Sequence, residues 1–128
     1  MGQQQLLLIV LGVIIVGIAV VVGINVFSAS AVTANRDAVI SDLTNLAALG
    51  QQFYRKPAAL GGGGNTFTGW TIPTQLATTG NGTYTVTVAA QALTLVGVGT
   101  ELGNNGTSGV KATMVVGPNA ITSTTINN

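Results

Sequence analysis

The chain has 128 residues, of which only 5% are charged, and its formal net charge is +1. That length allows one ordinary domain, and typical soluble proteins carry about 25% charged residues. Polarity comes instead from neutral residues: 18 Thr, 10 Asn and 18 Gly. The chain lacks the basic surface that nucleic-acid binding requires. We therefore expect no nucleic-acid partner.

The reactive side chains argue against catalysis and metal binding. The sequence contains neither Cys nor His, which removes thiol chemistry, the commonest general base and the commonest metal ligand. Its acids are Asp37, Asp42 and Glu101, and no nucleophile with a base lies within local reach. We therefore predict a protein that is not an enzyme, with no catalytic, metal or cofactor site. Asp37 and Asp42 are expected to face solvent or to pair with basic residues of a neighbouring molecule.

An uninterrupted apolar run of 19 residues occupies positions 6–24. As a helix, with a rise of about 1.5 Å per residue, it is long enough to cross the hydrocarbon core of a bilayer. Ala29-Ser30-Ala31 has the form of a signal peptidase site. No Lys or Arg precedes the run, however, and the run is longer than the apolar core of a usual signal peptide. We therefore interpret it as a retained helix, whose orientation in a membrane is left open.

A second helical pattern follows the apolar run, because apolar residues recur on one face as far as Tyr54. These residues form a stripe that we expect to pack in the core of the C-terminal domain: Val32, Val39, Ile40, Leu43, Leu46, Phe53 and Tyr54. The two patterns together predict one helix over about residues 3–54. Two helices hinged between Asn25 and Ser30 are the alternative.

The C-terminal half changes to a period of two. Arg55, Lys56 and Pro57 mark the end of the helix. Residues 61–64 are all Gly and are typical of a flexible linker, since they lack the ending of a phosphate-binding loop. We expect strands over residues 65–72, 83–89, 93–98 and 110–116, with a short edge strand over 120–125. Turn signals between them predict an antiparallel meander with one buried face.

These patterns predict an α+β fold. A long N-terminal helix, apolar in its first half and amphipathic in its second, packs by its second half on a small antiparallel sheet. The predicted segments are the apolar helix at residues 1–28, its amphipathic continuation at 29–56, a Gly-rich linker at 57–64 and a β head domain at 65–128.

This organisation resembles that of the type IV pilins. In that family the amphipathic half of the helix packs in the head, while the apolar half lies in the inner membrane before assembly and in the filament core afterwards. Members also carry a basic leader, cleaved after a Gly, and a glutamate at the fifth mature position that pairs with a neighbour's terminal amine. Here the fifth position is Gln5 counted from Met1, or Leu7 counted after Gly2, so the charge pair is not matched.

The resemblance implies a structural subunit that homopolymerises into an extracellular, pilus-like filament on a prokaryotic cell surface, with a role in adhesion, motility or surface structure. Its implied partners are copies of itself, the inner membrane before assembly and the pilus assembly machinery. The alternatives are a single-pass anchored β domain that binds a partner as a monomer, and a pseudopilin of a secretion system. The helix-bundle surface would comprise Leu6, Leu7, Leu8, Ile9, Val10, Leu11, Val13, Ile14, Ile15, Val16, Ile18, Val20, Val21, Val22 and Ile24.

Three glycines interrupt this surface. Gly12, Gly17 and Gly23 would allow neighbouring helices to approach closely, or the helix to stretch locally on leaving the membrane. Gly is also common in membrane helices without either role, and this spacing is not the usual close-packing motif. Both interpretations stay open.

Two Asn-Gly-Thr sequons begin at Asn81 and Asn105, and both lie in predicted turns. Each is a candidate acceptor of an N-linked glycan on an exported protein. Asn-Gly is also the favoured dipeptide of hairpin turns, and we favour turn chemistry over glycan attachment as the explanation. The many Thr hydroxyls leave O-linked glycans open too.

Overall fold

The computed structural model describes residues 2–128. The long helix α1 extends over Gly2–Arg55, and a 3-10 turn at Ala58–Leu60 and a one-turn helix α2 at Thr74–Ala77 follow it. Five strands form one sheet: β1 (Thr78–Thr79), β2 (Gly82–Ala89), β3 (Ala92–Leu102), β4 (Gly109–Val116) and β5 (Ile121–Ile126). The strands pair in chain order, each antiparallel to the next. The predicted α+β fold, a long N-terminal helix packed on an antiparallel sheet, is confirmed.

The chain divides into two compact units, an N-terminal unit up to Ala31 and a C-terminal unit from Val32 to Asn128, which we call the head from here on. Every residue between Asn25 and Ser30 is helical, so the alternative of two separate helices does not hold. Asn and Ser are only modest helix breakers compared with Pro.

The core of the C-terminal unit lies between α1 and the sheet. Val39, Leu43 and Leu46 on α1 are at most 2% exposed, and their spacing of four and three residues places them on one helical face. The inward residues of β3 and β4 lie opposite them, at every second position: Leu93, Leu95, Ala112, Met114 and Val116. The core is therefore formed by residues at helical spacing on α1 and by every second residue of β3 and β4.

Gly50 allows α1 to approach the sheet closely. A Cβ atom at this position would collide with the side chain of Leu93 and would lie 3.9 Å from Cε2 of Trp70. Leu93 is fully buried, so it cannot move aside without disturbing its neighbours in a close-packed core. Gly50 is thus a packing position.

The strand predicted over residues 65–72 does not form, and that prediction is wrong. Phe67 and Trp70 are buried at 0% and 7% exposure, but they close a local turn, in which the Trp70 N–H donates to the Phe67 C=O at 3.0 Å. Between them Gly69 has a left-handed φ of 93°, which breaks the extended conformation that a strand requires. The aromatic residues fill the core from an irregular segment.

The Gly-rich segment after α1 folds back on the end of the helix. The N–H groups of residues 63–65 donate to the C=O groups of Phe53, Tyr54 and Lys56 at 2.7–2.9 Å. These bonds satisfy carbonyls that the last turn of a helix leaves unpaired. The segment predicted as a flexible linker is therefore a hydrogen-bonded cap of α1.

The remaining strands form close to where they were predicted, with one difference. β3 continues to Leu102, four residues past its predicted end at 98, and the register with β4 shifts between Val98 and Leu102. The turn between β3 and β4 is therefore shorter than the gap between the strands predicted over residues 93–98 and 110–116.

Candidate assembly surface

The N-terminal unit exposes an apolar surface along α1. Its large aliphatic side chains between positions 6 and 24 are 52–68% exposed, and Phe27 is 76% exposed. Within residues 2–128, α1 is the one helix that is long and apolar enough to cross a membrane, judged by length and composition. Soluble monomers rarely expose contiguous apolar patches larger than a few hundred Å². This surface therefore requires a cover of lipid or protein.

All fifteen residues predicted for helix-bundle assembly lie on this exposed surface. A Cβ atom added at Gly12, Gly17 or Gly23 would meet no atom within 4 Å. A single chain therefore makes no use of the missing side chains at these glycines, and any packing role for them involves a neighbour.

The predicted head-core stripe lies in the C-terminal half of α1. Val39, Leu43 and Leu46 are buried, while the others are half-buried: Val32, Ile40, Phe53 and Tyr54. The Tyr54 ring lies 4.9 Å from the ring of Phe67, centroid to centroid, and its hydroxyl donates to Gln91 Oε1 at 2.8 Å. Ala47, on the same face, is also buried, but the search for apolar side chains missed Asn35 and Gly50, because one is polar and the other has no side chain.

Asp42 accepts three hydrogen bonds from the start of the sheet. Its Oδ2 accepts from the Tyr84 hydroxyl at 2.5 Å, from Thr79 Oγ1 at 3.1 Å and from Asn81 Nδ2 at 3.1 Å. The expectation that Asp42 faces solvent or pairs with a neighbouring molecule is therefore wrong. The carboxylate joins α1 to the β1–β2 turn within one chain, and we call these four residues the Asp42 cluster.

The contacts of the Asp42 cluster change the acidity of two of its groups. Partial burial pushes the pKa of Asp42 upward, but the hydrogen bonds from Tyr84, Asn81 and Thr79 outweigh it and hold the pKa below its usual value. Burial, together with the hydrogen bond to the Asp42 carboxylate, raises the pKa of Tyr84 to about 12. The folded head therefore favours a charged Asp42 beside a neutral Tyr84.

We expect the stability of the head to depend on pH through this pair. The lowered pKa of folded Asp42 stabilises the head above the unfolded value of about 3.9, and this contribution is lost as the pH falls through the folded pKa. The raised pKa of folded Tyr84 stabilises it below about pH 10, and this contribution is lost as the pH rises toward about 12. Denaturant titrations across pH should show both losses.

Two single variants show which residue causes each loss of stability. Tyr84→Phe should lack the alkaline loss, because it removes the hydroxyl that titrates, and Asp42→Asn should lack the acidic loss, because it removes the carboxylate. Because the two groups are hydrogen-bonded to each other, each variant should also reduce the loss that belongs to the partner group. An alkaline loss of equal size in Tyr84→Phe would assign it to other groups and contradict the prediction.

Asn35 makes a second polar connection between α1 and the sheet. It is 9% exposed, and its Nδ2 donates to the Asn81 C=O at 2.9 Å and to Thr100 Oγ1 at 3.4 Å. Its Oδ1 accepts from the Glu101 N–H at 3.2 Å. One buried amide therefore joins the β1–β2 turn to the end of β3, as its buried position requires.

Asn128 fastens the β3–β4 loop. Its Nδ2 donates to Asn105 Oδ1 at 3.2 Å, to the Ser108 C=O at 3.0 Å and to the Gly109 C=O at 2.9 Å. Its Oδ1 accepts from the Asn105 N–H at 3.0 Å, and Arg36 donates to its backbone carbonyl at 3.4 Å. The sequence around Asn128 contains no pattern that predicts these contacts with the β3–β4 loop.

In both sequons the side-chain amide nitrogen of the Asn donates a hydrogen bond within the chain. Asn81 is half-buried, and its amide nitrogen, the atom that would carry a glycan, donates to Asp42. Asn105 is exposed, and its amide nitrogen donates to Ser108 Oγ at 2.8 Å. At Asn105 this bond lies within the turn, whereas the Asn81 amide bonds to α1 and Gly82 already belongs to β2. Glycan attachment stays a prediction at both sites.

No protein-family model, curated protein or solved structure matches this chain. Among residues 2–128 there is also no group of three or more acidic side chains that could hold a metal ion. The two features of the described chain that bear on function are therefore the apolar surface of α1 and the head.

Proposed function

We propose that this protein is a structural subunit that homopolymerises through its N-terminal helices into an extracellular, type IV pilus-like filament. The observation that carries the proposal is the exposed apolar surface of α1, at 52–68% exposure between positions 6 and 24. The core of the head lies wholly within residues 39–116 and makes no use of that surface. The surface therefore serves contacts outside its own chain.

Two environments can cover this surface in succession. A bilayer covers it before assembly, because the run matches the thickness of the hydrocarbon core. Copies of the same helix cover it afterwards, and each Å² of apolar area kept from water is worth about 25 cal/mol. The first charged side chain is that of Arg36, so the apolar run carries no side-chain charge that would have to be desolvated when the helix passes from the bilayer into a bundle. Pilus assembly machinery would drive that transfer.

The head favours a polymer over an isolated anchored domain. Only 5% of the residues are charged, so heads packed side by side would repel each other little. A monomeric binding module needs solubility instead, which surface charge usually supplies. This difference favours the filament over the anchored binding module.

The decisive experiment is electron microscopy of material sheared from cells that express the chain, combined with identification of the protein in any fibres. Fibres built from this chain support the proposal. Retention of all of the chain as a monomer in the membrane fraction would assign the anchored binding module instead.

Deleting residues 1–28 is expected to leave a soluble, monomeric head. The deletion removes the exposed apolar surface but keeps the core residues, of which the first is Val39. Size-exclusion chromatography with light scattering measures the mass, and negative-stain microscopy detects fibres. Fibres formed by the truncated chain would show that assembly does not depend on the N-terminal helix.

A further inference from the structure

β5 is an open edge of the sheet. It pairs with β4 alone, and all six of its residues, Ile121–Ile126, are exposed. Natural edge strands are usually protected by Lys, Pro, a bulge or a covering segment. The strand ITSTTI contains no charge and no Pro. The register shift between Val115 and Val116 leaves Thr122 outside the register with β4, so regular pairing covers Ser123–Ile126. Most of this edge is available for pairing.

β2 leaves the opposite edge open over much of its length. β1 pairs only with Gly82 and Thr83, and α2 precedes β1 beside this end of the strand. From Thr85 to Ala89 no described residue hydrogen-bonds to the β2 backbone on the side away from β3. This stretch, TVTVA, is also free of charge and Pro. The open stretch of β2 ends at Ala90, whose C=O accepts from the Phe67 N–H at 2.9 Å. One chain therefore carries two edges with open stretches of similar length, residues 85–89 of β2 and residues 123–126 of β5.

The strand directions make these two edges complementary. β2, β3, β4 and β5 alternate in direction, so β5 runs opposite to β2. If a second head lies beside the first in the same orientation, its β2 runs antiparallel to the first head's β5. The antiparallel ladder then continues from one copy to the next, with the helix-covered faces on the same side.

We propose that neighbouring heads in the filament join β5 of one copy to β2 of the next and so extend a single sheet from subunit to subunit. The inference rests on the proposed function, because the helix bundle holds the heads side by side. A short strand pair is marginal by itself in water, which keeps isolated chains apart. The contact is head-to-tail, so it leaves an open edge at each end for the next copy.

The competing arrangement is a two-fold pair of β5 edges. It is also antiparallel, but the two-fold axis reverses the direction of the helical segment from Val32 to Arg55 in one head relative to the other. Chains inserted in one membrane from the same side present their Val32 ends the same way. The head-to-tail arrangement meets this condition and the two-fold arrangement does not.

Cysteine cross-linking of filaments made from the full chain tests the inference, since the natural sequence has no Cys. Ser123 and Thr125 on β5 and Thr85 and Thr87 on β2 are exposed on the sheet face away from α1. Four double variants combine one cysteine from each strand. Because equivalent positions lie about 7 Å apart along a strand, at least one combination brings the two Cα atoms within disulfide range.

We expect at least one double variant to give, after mild oxidation, a ladder of dimers, trimers and higher multimers on a non-reducing gel that returns to monomer on reduction. The matched controls are the single variants, which should stay monomeric. Dimers from Ser123→Cys alone would establish the two-fold arrangement and overturn the proposal. Filaments that give no cross-link with any of the four pairs would also overturn it and leave the proposed function intact.

Hydrogen exchange provides a second readout that needs no substitution. Amides of Ile121–Ile126 and of residues 85–89 should exchange several-fold more slowly in filaments than in the detergent-solubilised chain. Unchanged exchange in both strands within intact filaments would overturn the strand pairing. If the unsubstituted chain forms no filaments, the proposed function fails, and the inference fails with it.

Discussion

Replacing Val16 with aspartate is expected to abolish filament assembly. Val16 lies in the middle of the apolar run and is 61% exposed, so in an assembled bundle it would face either a neighbouring helix or the dry interior. No cationic side chain lies near position 16 of the same helix, because the first charged side chain is that of Arg36. At the centre of a membrane helix, aspartate costs about 2.5–3.5 kcal/mol on insertion scales. A polymer repeats that penalty in every subunit.

Electron microscopy of sheared material, quantified against the total chain in each culture, measures the effect. Val16→Leu is the matched control, since it keeps the position apolar and should assemble normally. Membrane fractionation separates failure to insert from failure to polymerise. Filaments of normal number and length from Val16→Asp would show that the apolar surface is not buried in an assembly.

Replacing Leu43 with alanine is expected to lower the free energy of unfolding of the head by about 2–5 kcal/mol. Leu43 is fully buried between α1 and the inward face of the sheet, so the substitution removes apolar contacts and leaves a cavity that close packing fills poorly. For a small domain this is a large share of a total stability of roughly 5–15 kcal/mol.

Trp70 offers a direct readout. It is the only Trp in the chain and is 7% exposed in the head core, so its fluorescence should report unfolding of the head in the detergent-solubilised full chain. Leu60→Ala is the matched control, because Leu60 is 66% exposed and its truncation should change stability little. Equal losses in the two variants would contradict the placement of Leu43 in the core.

The long helix and the meander could be predicted because both follow from strong periodicities. The stripe around Leu43 repeats over several helical turns, and the Thr-Val alternation of β2 is unbroken. The strand predicted over residues 65–72 failed because Trp70 and Phe67 mimic the inner face of a strand, while the left-handed Gly69 between them redirects the backbone. A local pattern does not reveal which conformation a single glycine adopts.

The polar contacts of the head could not be predicted from local sequence patterns, because they join residues that are far apart in the chain. Asp42 meets Tyr84 across a sequence separation of 42 residues, and Arg36 meets the Asn128 carbonyl across 92. Such pairs depend on how the helix lies on the sheet, and local sequence patterns do not reveal that arrangement at the level of single side chains. These polar residues occur singly along the chain, so they produce no periodic pattern of the kind that predicted the helix and the strands.

The contacts that join α1 to the sheet have a consequence for the media in which such a head can work. Asn35 and Asp42 bind through amides, hydroxyls, backbone groups and a single carboxylate, and none of these bonds is an ion pair. Dissolved salt weakens attraction between exposed charges over distances of about 10 Å at 0.1 M, but it has little hold on short hydrogen bonds between largely neutral groups. The polar contacts between α1 and the sheet should therefore be about equally stable at low and at high salt concentration.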